Sequence, residues 1–229
     1  MNQETALTYP RQLDCGGAAI DVERMQSSDR AALGRFVAAL APEDLLFVPR
    51  DISHPKVLDA WMRALDAGTI HSLVARSGGA MVGCTSIYTD RMSWSRHVGE
   101  LRVLTSPDWR GKGLGRRLSQ ECFLQAIALG LKKLVAQMTT KEAGAIAVFE
   151  DLGFRPEALL RQHVADRAGH MHDLVILSHD VAAVAARQSI RAVRAKHVLR
   201  SAGDVVVHGR IGQHDATRTV GRDLREVQP

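Results

Sequence analysis

The stretch Trp109-Arg110-Gly111-Lys112-Gly113-Leu114-Gly115-Arg116-Arg117 decides the fold of this 229-residue chain. Its glycines alternate with basic and apolar residues. An apolar run over 99–105 precedes it, and a helical pattern over 114–129 follows it. A strand, a tight glycine-rich turn and a helix in this order present free backbone N–H groups at a helix N-terminus, which favour anions and above all phosphate. The sequence therefore predicts a site for a phosphorylated cofactor.

The composition predicts a soluble protein with an aliphatic core, because 45% of the residues are hydrophobic and only 4% are aromatic. No apolar run approaches the roughly 20 residues that span a bilayer. The N-terminus lacks the basic flank and apolar region of a signal peptide. The 3 cysteines lie far apart, which argues against a disulfide framework and against a metal site. We expect a cytoplasmic protein that has no membrane contact.

The net charge of +5 is concentrated at the C-terminal end of the chain. Residues 182–229 contain an excess of arginine over acidic residues, and the remainder of the chain is neutral. This segment has no Phe, Trp or Tyr to stack on bases, which disfavours nucleic-acid binding. We interpret 182–229 as a basic C-terminal extension, helical at first and then irregular, and 1–17 as a flexible leader.

Alternating and helical patterns between these two segments predict the order β-α-α-β-β-β-α-β-α-β-β. The predicted strands cover 18–24, 70–76, 80–88, 98–105, 134–138, 158–164 and 171–178. The predicted helices run from about 29 to 40, 54 to 68, 114 to 129 and 142 to 152. One domain over 18–181 is therefore expected.

Two motifs define a family resemblance. The turn lacks the spacing of a P-loop, and it has G-x-G-x-G in place of the dinucleotide fingerprint G-x-G-x-x-G. It does match [RQ]-x-x-G-x-[GA] through Arg110, Gly113 and Gly115. The later segment Phe149–Phe154 matches [YF]-E-x-x-G-F. With both motifs the chain resembles a small bacterial-type member of the GNAT superfamily of N-acetyltransferases.

The resemblance implies an α/β (α+β) GNAT fold with a mixed, mostly antiparallel sheet of about seven strands. Helices would cover both faces, and the fourth and fifth predicted strands would splay apart. It also implies acetyl-CoA, or another acyl-CoA, as co-substrate, with its pyrophosphate on the turn and its pantetheine arm in the splay. The expected cofactor-binding residues are Val103, Leu104, Thr105, Arg110, Gly111, Lys112, Gly113, Leu114, Gly115 and Arg116.

The implied reaction is direct attack of a primary amine, from a small molecule or a peptide, on the thioester. By resemblance, the backbone N–H of Leu104 would polarise the carbonyl, and Glu100 is the candidate general base acting through water. An equally weighted interpretation of Glu100 is a strand-surface residue paired with a neighbouring arginine. His97 and the histidines of the last predicted hairpin are weaker candidates. Cys122 is interpreted as core packing.

Two positions depart from the family pattern. Phe149 stands where many members have a tyrosine that protonates the sulfur of CoA, and Glu142 stands where many have an asparagine that bonds to the pantetheine arm. These departures motivate an alternative function, a non-catalytic or weakly catalytic acyl-CoA-binding regulatory domain. The loop 89–96 is interpreted either as a wall of the acceptor site or as an ordinary exposed loop. Family resemblance also suggests a homodimer.

Overall fold

The fold is described from a computed structural model, which describes residues 7–46, 48 and 50–183. The extension from residue 184 onward and the first six residues of the leader lie outside this part. The helices and strands are β1 (Arg11–Cys15), β2 (Ala18–Arg24), α1 (Arg30–Ala38), α2 (Pro55–Asp66), β3 (Ile70–His71), β4 (Leu73–Ser77), β5 (Ala80–Tyr88), β6 (Val98–Thr105), α3 (Leu114–Ala128), β7 (Lys133–Thr139), α4 (Ala143–Asp151), β8 (Arg155–Ala165) and β9 (Met171–Asp180). Over the described ranges, no helix combines the length and the apolar character needed to cross a bilayer.

These strands form one mixed sheet. Its order is β1-β2-β4-β5-β6-β7-β9-β8, and β3 also pairs with β5, which gives nine strands within the described residues. β6 and β7 are parallel, and the other neighbouring pairs are antiparallel. The expected mixed, mostly antiparallel sheet is confirmed, with two more strands than predicted.

The first additional strand corrects the prediction for the leader. Part of the supposedly flexible segment 1–17 is β1, which pairs antiparallel with β2. Gly16 and Gly17, with φ of 63° and 82°, make the turn between them, and the Gly17 N–H donates to Asp14 Oδ1 at 2.9 Å. Cys15 is buried. Every second residue of this short strand is polar and exposed, so it lacked the apolar content that marks a strand in a sequence.

The second additional strand arises from a break in the predicted strand 70–76. β3 and β4 keep one register along β5, with Ile70 opposite Tyr88 and Val74 opposite Cys84. Between them, the Leu73 N–H donates to the side-chain Oγ1 of Thr85 at 3.1 Å. A side chain thus replaces a backbone partner, and the ladder is interrupted without a change of direction.

Helices cover both faces of the sheet, as expected. Successive side chains of a strand point to opposite faces, and β6 shows this clearly. Leu104 packs in the core beneath α1 and α2, whereas Leu101 packs in the core beneath α3 and α4. Successive residues of β6 therefore alternate between the face covered by α1 and α2 and the face covered by α3 and α4.

The expected splay lies between β6 and β7 and is confirmed. Their parallel pairing runs from Val98 opposite Lys133 to Leu101 opposite Ala136 and ends there, although both strands continue. At the paired end the packing is tight, because a Cβ on Gly99 would lie 2.6 Å from Leu131 Cδ1. The two strands are thus held together at one end and open into a gap at the other.

Candidate active site

The glycine-rich turn leaves the first N–H groups of α3 without a side-chain cap. Gly113 directly precedes α3, has a φ of 82°, and has no side chain to accept these groups. Gly111 also has a positive φ, of 73°, which glycine adopts without steric cost. Uncapped N–H groups at a helix N-terminus make an anion site. The turn therefore has the geometry expected for binding a phosphate.

Basic side chains flank this turn. Arg110 Nη2 donates to Asp44 Oδ2 at 2.5 Å, and Arg116 Nη2 donates to Asp151 Oδ2 at 2.6 Å. The side chains of Arg110 and Arg116 are 53% and 41% exposed, so each ion pair is screened by water and contributes only about 0–1 kcal/mol. A phosphate can replace either carboxylate at little cost.

A cavity of about 700 Å³, called here the cofactor cavity, opens beside the turn. It is walled by the end of β6, the turn, the start of α3 and one side of α4. Of the expected cofactor-binding residues, Val103, Leu104, Thr105, Arg110, Gly111, Gly113, Leu114, Gly115 and Arg116 line it. Lys112 is placed elsewhere, with its Nζ 5.0 Å from the centroid of the Trp109 ring. Their binding of a cofactor remains a prediction.

The backbone of β6 presents alternate residues to its two neighbours. The Ser106 N–H donates to the Val82 carbonyl at 2.8 Å. The register between β5 and β6 is unbroken from Thr105 back to Glu100, so every second residue before Ser106 also bonds to β5. The N–H of Leu104 is one of these, and it points away from the gap.

The other edge of β6 follows the same alternation. The carbonyl of His97 accepts a hydrogen bond from the Lys132 N–H at 2.8 Å, on the side of β7. Odd-numbered residues of β6 therefore direct their backbone groups to β7, and beyond the end of the pairing these are Val103 and Thr105. The register thus favours the Val103 N–H, one residue before the expected Leu104, as the group that faces the gap.

A second cavity of about 380 Å³, called here the acceptor cavity, lies on the opposite face of β6 beneath α2. Its apolar walls include Trp61, Val57 and Ile70, and its polar wall includes Glu100 and Arg102 from β6. Leu104 lines this cavity as well as the cofactor cavity. The two cavities therefore meet at a single residue in the middle of the sheet.

Glu100 combines the features of both interpretations made from the sequence. It forms an ion pair with Arg102, and it also lines the acceptor cavity. Arg102 Nε is buried and has no hydrogen-bond partner among the described residues. The ion pair is confirmed, and the role of Glu100 as a base remains a prediction.

The cysteines favour direct attack over a covalent acyl-enzyme. Cys84 borders the acceptor cavity, and Cys122 is buried in the core on α3, as expected. Burial raises the pKa of each thiol to about 12. Since the thiolate is the nucleophilic form, neither side chain is a suitable nucleophile at neutral pH.

The histidine candidates line neither cavity. The ring of His97 is exposed. His170 Nδ1 and His172 Nε2 lie 3.2 and 3.0 Å from Asp166 Oδ2 in the turn between β8 and β9. These contacts hold the pKa of Asp166 well below its usual value. Trp94 is 95% exposed, which favours the interpretation of 89–96 as an exposed loop.

Several cavity residues were not found from the sequence. The cofactor cavity is also lined by three residues of α4, namely Gly144, Ala145 and Val148. Their helical spacing with Phe149 places them on the same side of α4, and that spacing could have been read from the sequence. Asp44 also lines it, from a loop far away in the chain. No sequence pattern marks Asp44, because its position depends on how α1 and α2 pack.

Comparison with known proteins identifies the family. The model of the acetyltransferase (GNAT) family matches residues 37–154, which is just over half of the chain and includes the turn and most of both cavities. The chain therefore belongs to the GNAT acetyltransferase family. Members of this family are acyltransferases that use acetyl-CoA, so the expected class of enzyme is confirmed.

Individual relatives agree with this family. The L-amino acid N-acyltransferase MnaT of Escherichia coli K12 is 30% identical over 120 residues, which cover 52% of this chain and 69% of the relative. The structure of a ribosomal-protein-alanine N-acetyltransferase from Brucella melitensis superposes with a TM-score of 0.62 at 25% identity, over 69% of this chain and 98% of the other. The yncA structure from Salmonella typhimurium, solved with its cofactor acetyl-CoA, has a TM-score of 0.61 at 23% identity, over 71% and 94% of the two chains, and supports the fold. These matches do not favour the alternative of a purely regulatory domain.

The anion site is tested best at Gly115. A Cβ there would meet the protein only at Thr105 Cγ2, at 3.9 Å, so the position itself has room. We expect Gly115→Val to weaken CoA binding by about tenfold or more, equivalent to ~1.4 kcal/mol, because its methyl groups occupy the phosphate space. Isothermal titration calorimetry measures the affinity, and the thermal midpoint should change little.

The matched control is Gly115→Ala, since the family pattern accepts alanine at this position. It should bind CoA as the unmodified protein does. Gly113 is a poorer choice, because its φ of 82° would add backbone strain to any effect on the ligand. Unchanged CoA affinity in Gly115→Val would show that the phosphates bind elsewhere.

Proposed function

We propose that the chain transfers the acetyl group of acetyl-CoA, or the acyl group of another acyl-CoA, to the primary amine of a small molecule or peptide by direct attack. The observation that supports this most is the meeting of the two cavities at Leu104. A donor in one cavity and an amine in the other would approach each other there. Holding both reactants in contact removes much of the entropic barrier to transfer.

The cofactor cavity fits two distinctive parts of CoA, the pyrophosphate and the pantetheine arm. The uncapped N–H groups at the start of α3 suit the pyrophosphate, and the unpaired edge of β6 suits the amides of the pantetheine arm. Arg110 and Arg116 would add positive charge to the phosphate end. Acetyl-CoA is a substrate here and supplies the activated thioester. We further propose that no metal takes part.

The Val103 N–H is the proposed donor to the thioester carbonyl. It faces the gap, whereas the Leu104 N–H bonds toward β5. A fixed donor that faces the oxygen stabilises the negative charge that develops there as the amine adds. The proposal therefore moves this role from Leu104, where the family resemblance placed it, to its neighbour.

Glu100 is the proposed general base. Its carboxylate lies in the wall of the acceptor cavity, held by Arg102. An ammonium acceptor must lose a proton before its nitrogen can attack, and a carboxylate acting through water can take that proton. Arg102 fixes the direction of the carboxylate, so it acts as a positioning residue in this step.

The walls of the acceptor cavity favour an amine that also bears a carboxylate and an apolar body. Arg50 and Arg102 outnumber the single carboxylate of Glu100, so the polar wall has a net positive charge. Trp61 and Ile70 offer apolar surface for a side chain. An α-amino acid with an apolar side chain has all three features, and the name of the Escherichia coli relative, an L-amino acid N-acyltransferase, supports this class.

Substitution of Glu100 tests the base. We expect Glu100→Gln to lower kcat by about 10²-fold, within the range typical of lost general-base catalysis, while CoA affinity is retained. Release of free thiol from acetyl-CoA measures the rate. Glu157→Gln is the matched control, because Glu157 pairs with Lys133 on the far side of the sheet and outside both cavities. A Glu100→Gln variant with full activity would eliminate Glu100 as the base.

Substitution of Arg50 tests the acceptor class. In a panel of amino acids, amino acid amides, polyamines and peptides, apolar amino acids should release thiol fastest. Arg50→Gln should raise KM for the amino acids by about tenfold, the loss of one charged contact of ~1.4 kcal/mol, and should leave the amides unaffected. Equal changes for both would argue against a carboxylate at Arg50, and no thiol release with any amine would contradict the proposed function.

Four expectations beyond the site remain proposals. The catalytic domain is proposed to end near residue 181 and, with β1 included, to begin near residue 11. The basic extension over 182–229 is proposed to lie outside the chemistry. A cytoplasmic location and a homodimer also stay predictions.

A further inference from the structure

Phe149 leaves the departing sulfur of CoA without an evident proton donor. Its ring is buried and packs edge-to-face against Phe154, with the centroids 5.0 Å apart. A phenyl ring has no exchangeable proton. Phe149 lines the cofactor cavity and also a smaller cavity of about 50 Å³ between β6 and β7. A donor for the sulfur has to be sought among the other walls of that space.

The smaller cavity lies at the closed end of the gap. Leu101 and Ala136, the last residues that pair between the two strands, are both in its wall. Arg102 lines it too and also lines the acceptor cavity. A substrate whose phosphates lie on the glycine-rich turn and whose arm follows the gap therefore directs its thioester to this end, where the amine can reach it.

Glu142 borders both spaces. It directly precedes α4 and lines the cofactor cavity and the small cavity together with Ala145 and Phe149. Spacings of three and four place these three residues on one face of the helix, and side chains on a helix tilt toward its N-terminus. The ring of Phe149 therefore tilts toward the end of the helix that carries Glu142.

One oxygen of this carboxyl group is fixed by the chain. The Thr139 N–H donates to Glu142 Oε2 at 2.9 Å, and the Thr139 hydroxyl lies 3.4 Å from the same oxygen. The other oxygen, Oε1, is left to carry a proton. The contact with Thr139 orients the carboxyl group without using both of its oxygens.

The surroundings favour the protonated acid. Burial is the largest cause and raises the pKa of Glu142, whereas the two hydrogen bonds from Thr139 lower it; the charge of Asp44 raises the pKa and that of Arg110 lowers it, and the net direction is upward. Arg102 also borders the small cavity and is paired with Glu100. Lys141 borders the cofactor cavity. A phosphate bound at Arg110 would offset the positive charge of that side chain, which opposes protonation of Glu142.

We propose that Glu142 is a catalytic residue that gives a proton to the departing sulfur of CoA, the task that Phe149 cannot perform. This inference rests on the proposed acyl transfer. The amine nitrogen bonds to the acyl carbon, the carbon–sulfur bond breaks with its electron pair on sulfur, and Glu142 supplies the proton to that sulfur. An ammonium acceptor loses two protons in all: the first passes by way of Glu100 to solvent before the attack, and Glu100 receives the second from the nitrogen after it has bonded to the acyl carbon. Exchange with solvent then reprotonates Glu142 and deprotonates Glu100.

The decisive variant is Glu142→Gln, because a glutamine carbonyl still accepts from Thr139 while the acidic proton is lost. With acetyl-CoA and an active amine, kcat of the unmodified enzyme should fall as pH rises and Glu142 ionises. In Glu142→Gln, kcat should be about 10²-fold lower, at the low end of the range typical of general-acid catalysis, and this alkaline decline should vanish. Adding Phe149→Tyr should restore part of the rate.

A second measurement separates the acid from a purely structural role. The carboxyl carbon of Glu142, assigned by its absence from the ¹³C spectrum of Glu142→Gln, should titrate above the ordinary value of about 4.3. A signal at the ordinary position, or a Glu142→Gln enzyme with unchanged kcat and the same alkaline decline, would overturn the proposal. If the unmodified protein releases no thiol, the proposed function fails, and the titration still decides the state of Glu142.

Discussion

The parting of β6 from β7 after Leu101 and Ala136 is the constraint on which the cofactor cavity depends. Backbone groups in a sheet are normally paired on both edges of a strand. β6 keeps its partner β5 from Glu100 to Thr105 but loses β7 after Leu101. Each buried N–H left without a partner costs about 1–3 kcal/mol, so the open edge favours a ligand that carries amides of its own. The unpaired backbone at the gap is therefore suited to binding such a ligand.

The same strand separates the two reactants. Its odd-numbered residues face α3 and α4, and its even-numbered residues face α1 and α2. Val103 can thus serve the donor while Glu100 and Arg102, on the other face, serve the acceptor. Leu104 alone lines both of these cavities. One strand thus carries both the proposed carbonyl donor, on its open edge, and the proposed base, in the wall of the acceptor cavity.

The sequence predicted the parts that local chemistry controls. Gly113 and Gly115 marked the glycine-rich turn, and the start of the helix at Leu114 was predicted to the residue. What it missed depends on distant contacts. β1 is polar on one face and is defined by its pairing with β2. The carbonyl donor proposed from the register, the Val103 N–H, lies one residue before the Leu104 expected by resemblance, because register, and not residue type, decides which way a backbone group points. Asp44 reaches the cofactor cavity only through the packing of α1 and α2.

Amide hydrogen exchange at β6 tests the central claim most directly. In the free protein, the N–H of Leu104 should exchange slowly because it bonds to β5, whereas those of Val103 and Thr105 should exchange faster because they face the gap. Adding acetyl-CoA should slow the amide exchange of Val103 and Thr105 and leave the exchange rate of Leu104 little changed. NMR spectra measure these rates residue by residue. Exchange at Val103 and Thr105 that is unaffected by bound acetyl-CoA would contradict the placement of the cofactor in the gap.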